Sequence, residues 1–353
     1  MSTTLQELLG IALPIIQAPM AGVQGSALAI AVSNAGGLGS LPCAMLGADM
    51  LHAELMAMHA QTTRPFNVNF FCHTPPTTDL AQEAAWRATL LPYANELGLA
   101  PETPAAAPAR LPFNAEMVAV LAPFAPPVVS FHFGLPSADL LAQIRAWGAK
   151  ILSSATTVDE ALWLEAQGVD AIIAQGLEAG GHRGMFLSHD LSQQMGTIAL
   201  LPQVVGAVKI PVVAAGGIAD AWGVKAAMAL GAAGVQIGTT YLLCPEATTT
   251  PVHRKALRSK AAQHTALTNL FTGRPARGIV NRIMRELGPL RGDAPQFPLA
   301  ALAIAPLRAQ AEAQGSGDFS PLWAGQNTSG CQELGAATLT RQLAGITQTT
   351  GVA

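Results

Sequence analysis

The stretch Gln175–Gly184, QGLEAGGHRG, sets one histidine, His182, among glycines and beside Arg183. A neutral imidazole near pH 7 can take a proton from a carbon acid, or give a hydrogen bond to a substrate oxygen. Two readings of His182 stand side by side: a catalytic base aimed at a substrate, or a structural histidine in a glycine loop. Gly180 and Gly181 would let backbone lie close against a flat ligand. Arg183 is expected to turn outward, toward Asp190 or Glu178, unless it anchors an anion. His132, in SFHFG, is a second candidate, either for hydrogen bonding substrate or as a buried ring bonded to a loop carbonyl.

Other residue types suggest what lies opposite these imidazoles. Asn69 and Gln175 end otherwise apolar runs, and a buried amide needs partners on both its faces. A planar heterocycle with N–H and C=O groups would supply them; so would neighbouring loops. Gly216–Gly217 and Gly238–Thr239 expose backbone amides of the kind that hold phosphate, or simply make tight turns. Helices expected behind both loops would favour an anion through their N-termini. Ala18, Pro19 and Met20 end the first apolar run, with Met20 placed to pack on an aromatic face or fill core. A phosphorylated planar cofactor fits this set, and flavin mononucleotide (FMN) is the economical choice. No metal is expected: His, Cys, Asp and Glu show no ligand spacing, and Cys43, Cys72, Cys244 and Cys331 form no CxxC pair.

Such residues need a frame. Short apolar runs recur along the chain: Pro14–Gly22, Gly36–Leu41, Phe66–Phe71, Val128–Gly134, Lys150–Thr156, Ala171–Gly176, Pro211–Gly217 and Gly234–Thr239. Runs without polar alternation suit strands buried on both faces of a parallel sheet. Between them lie Ala-rich helical stretches ending near Gly, among them SADLLAQIRAWGAK and TVDEALWLEAQGVD. Eight such units predict an α/β fold of the (β/α)8 TIM-barrel type, rather than an open doubly wound sheet. In that barrel the site sits at the C-terminal strand ends, where these residues fall, together with Ser153 and Ser154. Residues 1–244 are expected to form the barrel, with an insertion around 73–127 that contains the surface stretch PETPAAAPARLP. Residues 245–353 are expected to form a mainly helical cap that returns to the barrel.

Composition excludes several classes. Of 353 residues, 50% are hydrophobic and 12% charged, enough for a large core and against disorder. The net charge of −3 offers no nucleic-acid footprint. Mean hydropathy is +0.35, yet no apolar run is long enough to span a bilayer. MSTTLQELLG has no basic start followed by an apolar stretch, so no signal peptide is expected. Reduced thiols and a cytoplasmic location follow as expectations, as does a monomer or homodimer without membrane or nucleic-acid partners.

The combination EAGGHRG, then AAGGIAD, then QIGT resembles the nitronate monooxygenases, once called 2-nitropropane dioxygenases; GGHRG resembles their class I. Supporting stretches, from PIIQAPMAG to LWAGQ, run in order from residue 14 to about 326. The resemblance implies an FMN barrel with a helical substrate domain. It implies oxidation of alkyl nitronates, such as propionate 3-nitronate, by O2 to carbonyl compounds and nitrite. It implies His182 as the base for neutral nitroalkanes. It implies FMN contacts from Asn69, Gln175, Gly180, Gly217, Gln236, Ile237, Gly238 and Thr239. The chain departs from the class in having only Tyr93 and Tyr241, and in Phe297 and Leu307 where polar pocket groups are usual. An apolar pocket would favour a bulkier or less charged substrate. The competing readings are an FMN-dependent NAD(P)H reductase, acting on enoyl-acyl carrier or quinone, and a flavin-binding scaffold without chemistry.

Overall fold

A computed structural model describes residues 4–99 and 111–346. Most of PETPAAAPARLP lies outside the described residues. Eight parallel strands form the barrel: β1 (Ile15–Gln17), β2 (Gly39–Pro42), β3 (Phe66–Phe71), β4 (Val128–His132), β5 (Lys150–Ala155), β6 (Ala171–Gln175), β8 (Val212–Ala215) and β9 (Gly234–Ile237). They pair in the order β1-β9-β8-β6-β5-β4-β3-β2, and a parallel bridge from Ile16 to Leu38 brings the two ends together. The expected (β/α)8 barrel is the observed architecture.

The continuous apolar runs have the predicted cause. Neighbouring residues on one strand serve different cores: Ile15, Val129, Ile172 and Val212 pack outward beneath the helices. Ile16, Val128, Ile173 and Val213 pack with Leu5 and Leu9 in a separate cluster. Leu5 and Leu9 come from a helix, Leu5–Leu9, opened by a Thr4–Glu7 capping box. A side chain on Gly234 would overlap Leu5, so this helix sits tight on the strands.

A second apolar cluster forms the cap. Trp86, Leu90 and Tyr93, on the helix Leu80–Glu96, pack with Ile304, Leu307 and Ala311, on the helix Ala300–Ala313. The insertion after β3 and the C-terminal region thus share one core, although about two hundred residues separate them in sequence. The region after β9 is not helical throughout. It carries the antiparallel pair β10 (Thr265–Thr268) and β11 (Ala276–Ile279). A final helix, Ala336–Leu343, returns to pack on Ser26–Asn34 and Ala221–Ala229, where the Tyr241 hydroxyl meets Thr340 Oγ1 at 2.8 Å. Among the described residues no helix is long and apolar enough to cross a membrane.

Candidate active site

One cavity of about 310 Å3 opens between the C-terminal strand ends and the cap. Its wall gathers the expected residues of the first, third and fourth strand ends, Ala18, Pro19, Met20, Asn69 and His132. It gathers Gln175, Gly180, Gly181 and His182 from the sixth. The last two barrel strands add Gly216, Gly217, Gln236, Ile237, Gly238 and Thr239. Ser154 lines it as well; Ser153 does not, and its hydroxyl donates to the carbonyls of Phe131 and Gly134.

His182 is not in a free loop. Gly181–His182 forms a short strand, β7, paired antiparallel to β11, with Ala276 opposite His182. The loop after the sixth barrel strand is therefore an edge of the cap's sheet, β10-β11-β7. The His182 ring reaches Thr272 Oγ1 through Nε2 at 2.9 Å. Phe297, Trp323, Phe133 and Phe71 surround it, with centroids 5.3, 5.6, 5.9 and 6.0 Å away. An imidazole half-buried among aromatic rings can exchange a proton with a substrate while bulk water is held back.

His132 is built differently. Its Nδ1 lies 3.0 Å from Ser154 Oγ, and its Nε2 lies 3.1 Å from the His182 carbonyl oxygen. A carbonyl only accepts, so Nε2 carries the proton and Nδ1 accepts from Ser154. Both nitrogens are engaged, which leaves none for a substrate hydrogen bond. The alternative reading, a ring bonded to a loop carbonyl, is the one observed. Gln175 joins it: Nε2 donates to the His182 carbonyl at 2.9 Å, and Oε1 accepts from the Gly184 amide at 2.8 Å. Its amide holds the loop through one donor and one acceptor, while the residue lines the cavity.

Burial pushes the pKa of His132 down to about 3, against a rise from the His182 carbonyl and a further lowering from Arg274 and Arg183. The unfolded chain takes up this proton near the ordinary imidazole value, while the native ring stays neutral until much lower pH. Stability is therefore lost on acidification from about pH 6.5 toward 3, at up to about 1.4 kcal/mol per pH unit for this one group. Urea midpoints taken at pH 7 and pH 4.5 should fall with acid, and His132→Asn should flatten that fall relative to its own value at pH 7. An equal fall in both proteins would remove His132 as the cause.

Arg183 corrects the expectation of an outward salt bridge. It is fully buried. Its guanidinium donates to the carbonyls of Gln175 (2.8 Å) and Gly176 (2.7 Å) and to Gln194 Oε1 (3.0 Å). Burial lowers its pKa to about 10, so it stays charged at neutral pH. Two carboxylates fix the same loop, Glu160 from outside and Glu178 from within it. Glu160 accepts from Thr156 and from the amides of Phe186 (2.5 Å) and Leu187 (3.2 Å). Glu178 accepts from the Thr197 amide and hydroxyl, both at 2.8 Å.

The glycines also have causes other than a ligand. A Cβ on Gly180 would stand 2.6 Å from the Gly325 nitrogen, and one on Gly184 would stand 2.8 Å from the His132 ring. Gly181 adopts φ +70°, a left-handed conformation that other residues enter at a cost. Close packing of protein on protein, and one backbone conformation, therefore account for these three.

Opposite His182 the loops after β8 and β9 form a cradle. Among the described residues, the amides of Gly216, Gly217, Gly238 and Thr239 donate to no acceptor of the protein. Such converging amides suit an anion. The helix behind β8, Ala221–Ala229, does not add its N-terminus, because Asp220 already caps it. Nearby, Gln236 Oε1 is buried with no hydrogen-bond partner among the described residues. The segment after Trp323 ties the loops together. Gly325 donates to Thr239 Oγ1 (2.9 Å), Gln326 to the Glu178 carbonyl (2.9 Å), and Asn327 to the Gly217 carbonyl (3.0 Å). A free anion cradle, an unpartnered amide oxygen and the Met20 side chain on one cavity fit a phosphorylated planar ligand. Among the described residues no group of His, Cys, Asp or Glu is arranged to hold a metal.

Sequence reasoning missed Thr272, Asn327 and Glu160 as parts of the site. Thr272 and Asn327 had no local signal, and Glu160 looked like an ordinary acidic residue in a helix's first turn. Leu307 is buried in the cap core, away from the cavity, while Arg308 beside it lines the wall.

A (β/α)8 barrel with an anion cradle after its last two strands and a histidine across the same mouth has the layout of a small-molecule enzyme. The family description "Nitronate monooxygenase" matches residues 2–344. The chain belongs to this oxidoreductase family. A nitronate monooxygenase of Pseudomonas aeruginosa is 42% identical, over 97% of this chain and 98% of the relative. One from Paraburkholderia phytofirmans is 43% identical, over 95% and 92%. The solved structure of nitroalkane oxidase from Streptomyces ansochromogenes superposes with a TM-score of 0.87 at 40% identity, covering 97% of this chain and 96% of that one. FabK from Thermotoga maritima is more distant, with a TM-score of 0.72 at 26% identity over 98% and 96%.

Proposed function

We propose that the protein is an FMN-dependent nitronate monooxygenase, which oxidises alkyl nitronates, and nitroalkanes after deprotonation, with O2 to carbonyl compounds and nitrite. The observation that carries this is one cavity with His182 among aromatic rings on one side and unpaired amides with Gln236 Oε1 on the other. The amides of Gly216, Gly217, Gly238 and Thr239 would bind the FMN phosphate. Gln236 Oε1 would accept an N–H of the ring system, with Asn69 beside it and Ala18, Pro19 and Met20 packed on a face. Bound FMN would supply the electron-accepting chemistry that a nitronate requires.

The protein's own part is proton handling and placement. A neutral nitroalkane must lose its α-proton, and the His182 imidazole takes it. Thr272 orients the ring through Nε2, while Gln175 and His132 fix the backbone behind it. Phe71, Phe297 and Trp323 exclude water from the base and the developing anion.

Purified protein is expected to carry FMN, and its flavin absorbance to bleach on anaerobic mixing with ethyl nitronate. Bleaching by NADH or NADPH but not by nitronate would replace this reading with a reductase. Protein that binds no flavin would end the cofactor assignment.

A further inference from the structure

We infer that the cavity has a second, polar subsite, built on His253, and that this subsite receives a neutral hydrogen-bond donor, in the simplest case a hydroxyl, at the far end of an apolar-stemmed substrate. The inference rests on the nitronate reading above and names the kind of nitronate.

His253 stands on the helix Pro251–Leu257 and is 4% exposed, yet it lines the same cavity as His182. Among the described residues, no group pairs with its Nε2. The Trp323 backbone lies beside the ring and stabilises its protonated form, as a carbonyl does when an imidazole N–H points at it. With Nε2 unpartnered, that N–H is on Nδ1, and Nε2 is left as a buried bare acceptor on a ring that lines the cavity. Burial lowers the ring's pKa to about 4, so it is neutral at working pH. Trp323 links the two histidines, since its indole packs on the His182 ring at 5.6 Å.

Three charges lie near His253: Arg308, Glu312 and Arg254, whose guanidinium donates to the carbonyls of Leu243, Cys244, Ala247 and Thr249. Arg308 Nε donates to Glu312 Oε1 at 2.8 Å, and the Ser320 hydroxyl donates to the same oxygen at 2.7 Å. A carboxylate end group would meet this compensated pair next to a neutral acceptor and gain little. The same cavity also has an apolar wall, to which Ala301, Ile304, Ala305 and Leu322 contribute. An alkyl stem fits that wall, and a donor at its end satisfies Nε2.

The test uses the holoenzyme and nitronates made from linear nitroalkanes, from nitroethane to nitrooctane, ending in methyl, hydroxyl or carboxylate. At the best stem length the hydroxyl-ended nitronate should show a KM lower than its methyl counterpart by about tenfold, the worth of one hydrogen bond to a buried acceptor. The carboxylate should do no better than methyl. In His253→Phe the hydroxyl-to-methyl ratio should collapse toward one, mainly through KM. An unchanged ratio in the variant, or a preference for carboxylate in the wild type, would overturn the subsite. So would a loss of bound flavin in His253→Phe with the ratio intact. Quenching of tryptophan fluorescence by the neutral nitroalkanes in His182→Asn, which lacks the base, reads the same preference apart from turnover. Selective binding without oxidation would sink the nitronate reading and keep the subsite; oxidation without selectivity would do the reverse.

Discussion

Replacing His182 with asparagine is expected to lower kcat/KM on neutral nitroalkanes by about two to four powers of ten, the usual contribution of a positioned general base. Turnover of preformed nitronates is expected to stay within about threefold, because those substrates arrive without the proton in question. The contrast matters more than either value. A ring that only shaped the pocket would depress both substrates together.

The substitution is suited to this test because of how the strand is held. The contacts that fix residue 182 run through its backbone carbonyl, which accepts from Gln175 Nε2 and His132 Nε2, and through pairing with β11. An asparagine keeps all of these and loses the imidazole, with its Thr272 hydrogen bond and its aromatic contacts. Steady-state kinetics on nitroethane and on ethyl nitronate, with a deuterium isotope effect at the α-carbon, would measure it. In the wild type the isotope effect should appear with nitroethane alone. Equal losses on both substrates would refute the base.

The barrel was legible because its physics is local. A strand buried on both faces is an unbroken apolar run, and each run here ends where the chain turns toward the mouth. Asn69, Gly217 and Gly238 could thus be assigned to one cavity before any tertiary contact was known. What the sequence hid is what depends on distant partners. Gly181–His182 is too short to show strand periodicity, and its partner strand begins at Ala276. His132 and Gln175 have the polarity of ligand-binding groups, and only the geometry reveals that both face a backbone carbonyl at residue 182. The cap core joins Trp86 to Ile304 and Leu307, a pairing no local pattern announces. Arg183 was misread for the same reason. Its acceptors are two backbone carbonyls and one amide oxygen, and the carbonyls leave no trace in residue type.

That arginine carries the largest stability effect expected in the chain. Arg183→Met keeps much of the side chain's bulk but leaves the Gln175 carbonyl and the Gln194 amide oxygen without their donor, and the Gly176 carbonyl with the Ala179 amide alone. Each unsatisfied buried acceptor costs about 1–3 kcal/mol, and stripping one partner from a buried charged network typically costs about 3–5 kcal/mol. A loss of at least about 3 kcal/mol is therefore expected, read as a lower urea midpoint. Arg183→Lys should fall between, since an ammonium keeps the charge but cannot span the three acceptors with one planar fork. The local consequence is separable from the global one. The loop that Arg183 gathers begins at Gln175, which holds the His182 carbonyl, so the methionine variant should also lose kcat on nitroalkanes at temperatures where it remains folded. An unfolding free energy within about 1 kcal/mol of wild type would mean that the acceptors find other donors, and that the loop is held by Glu160 and Glu178 without the arginine.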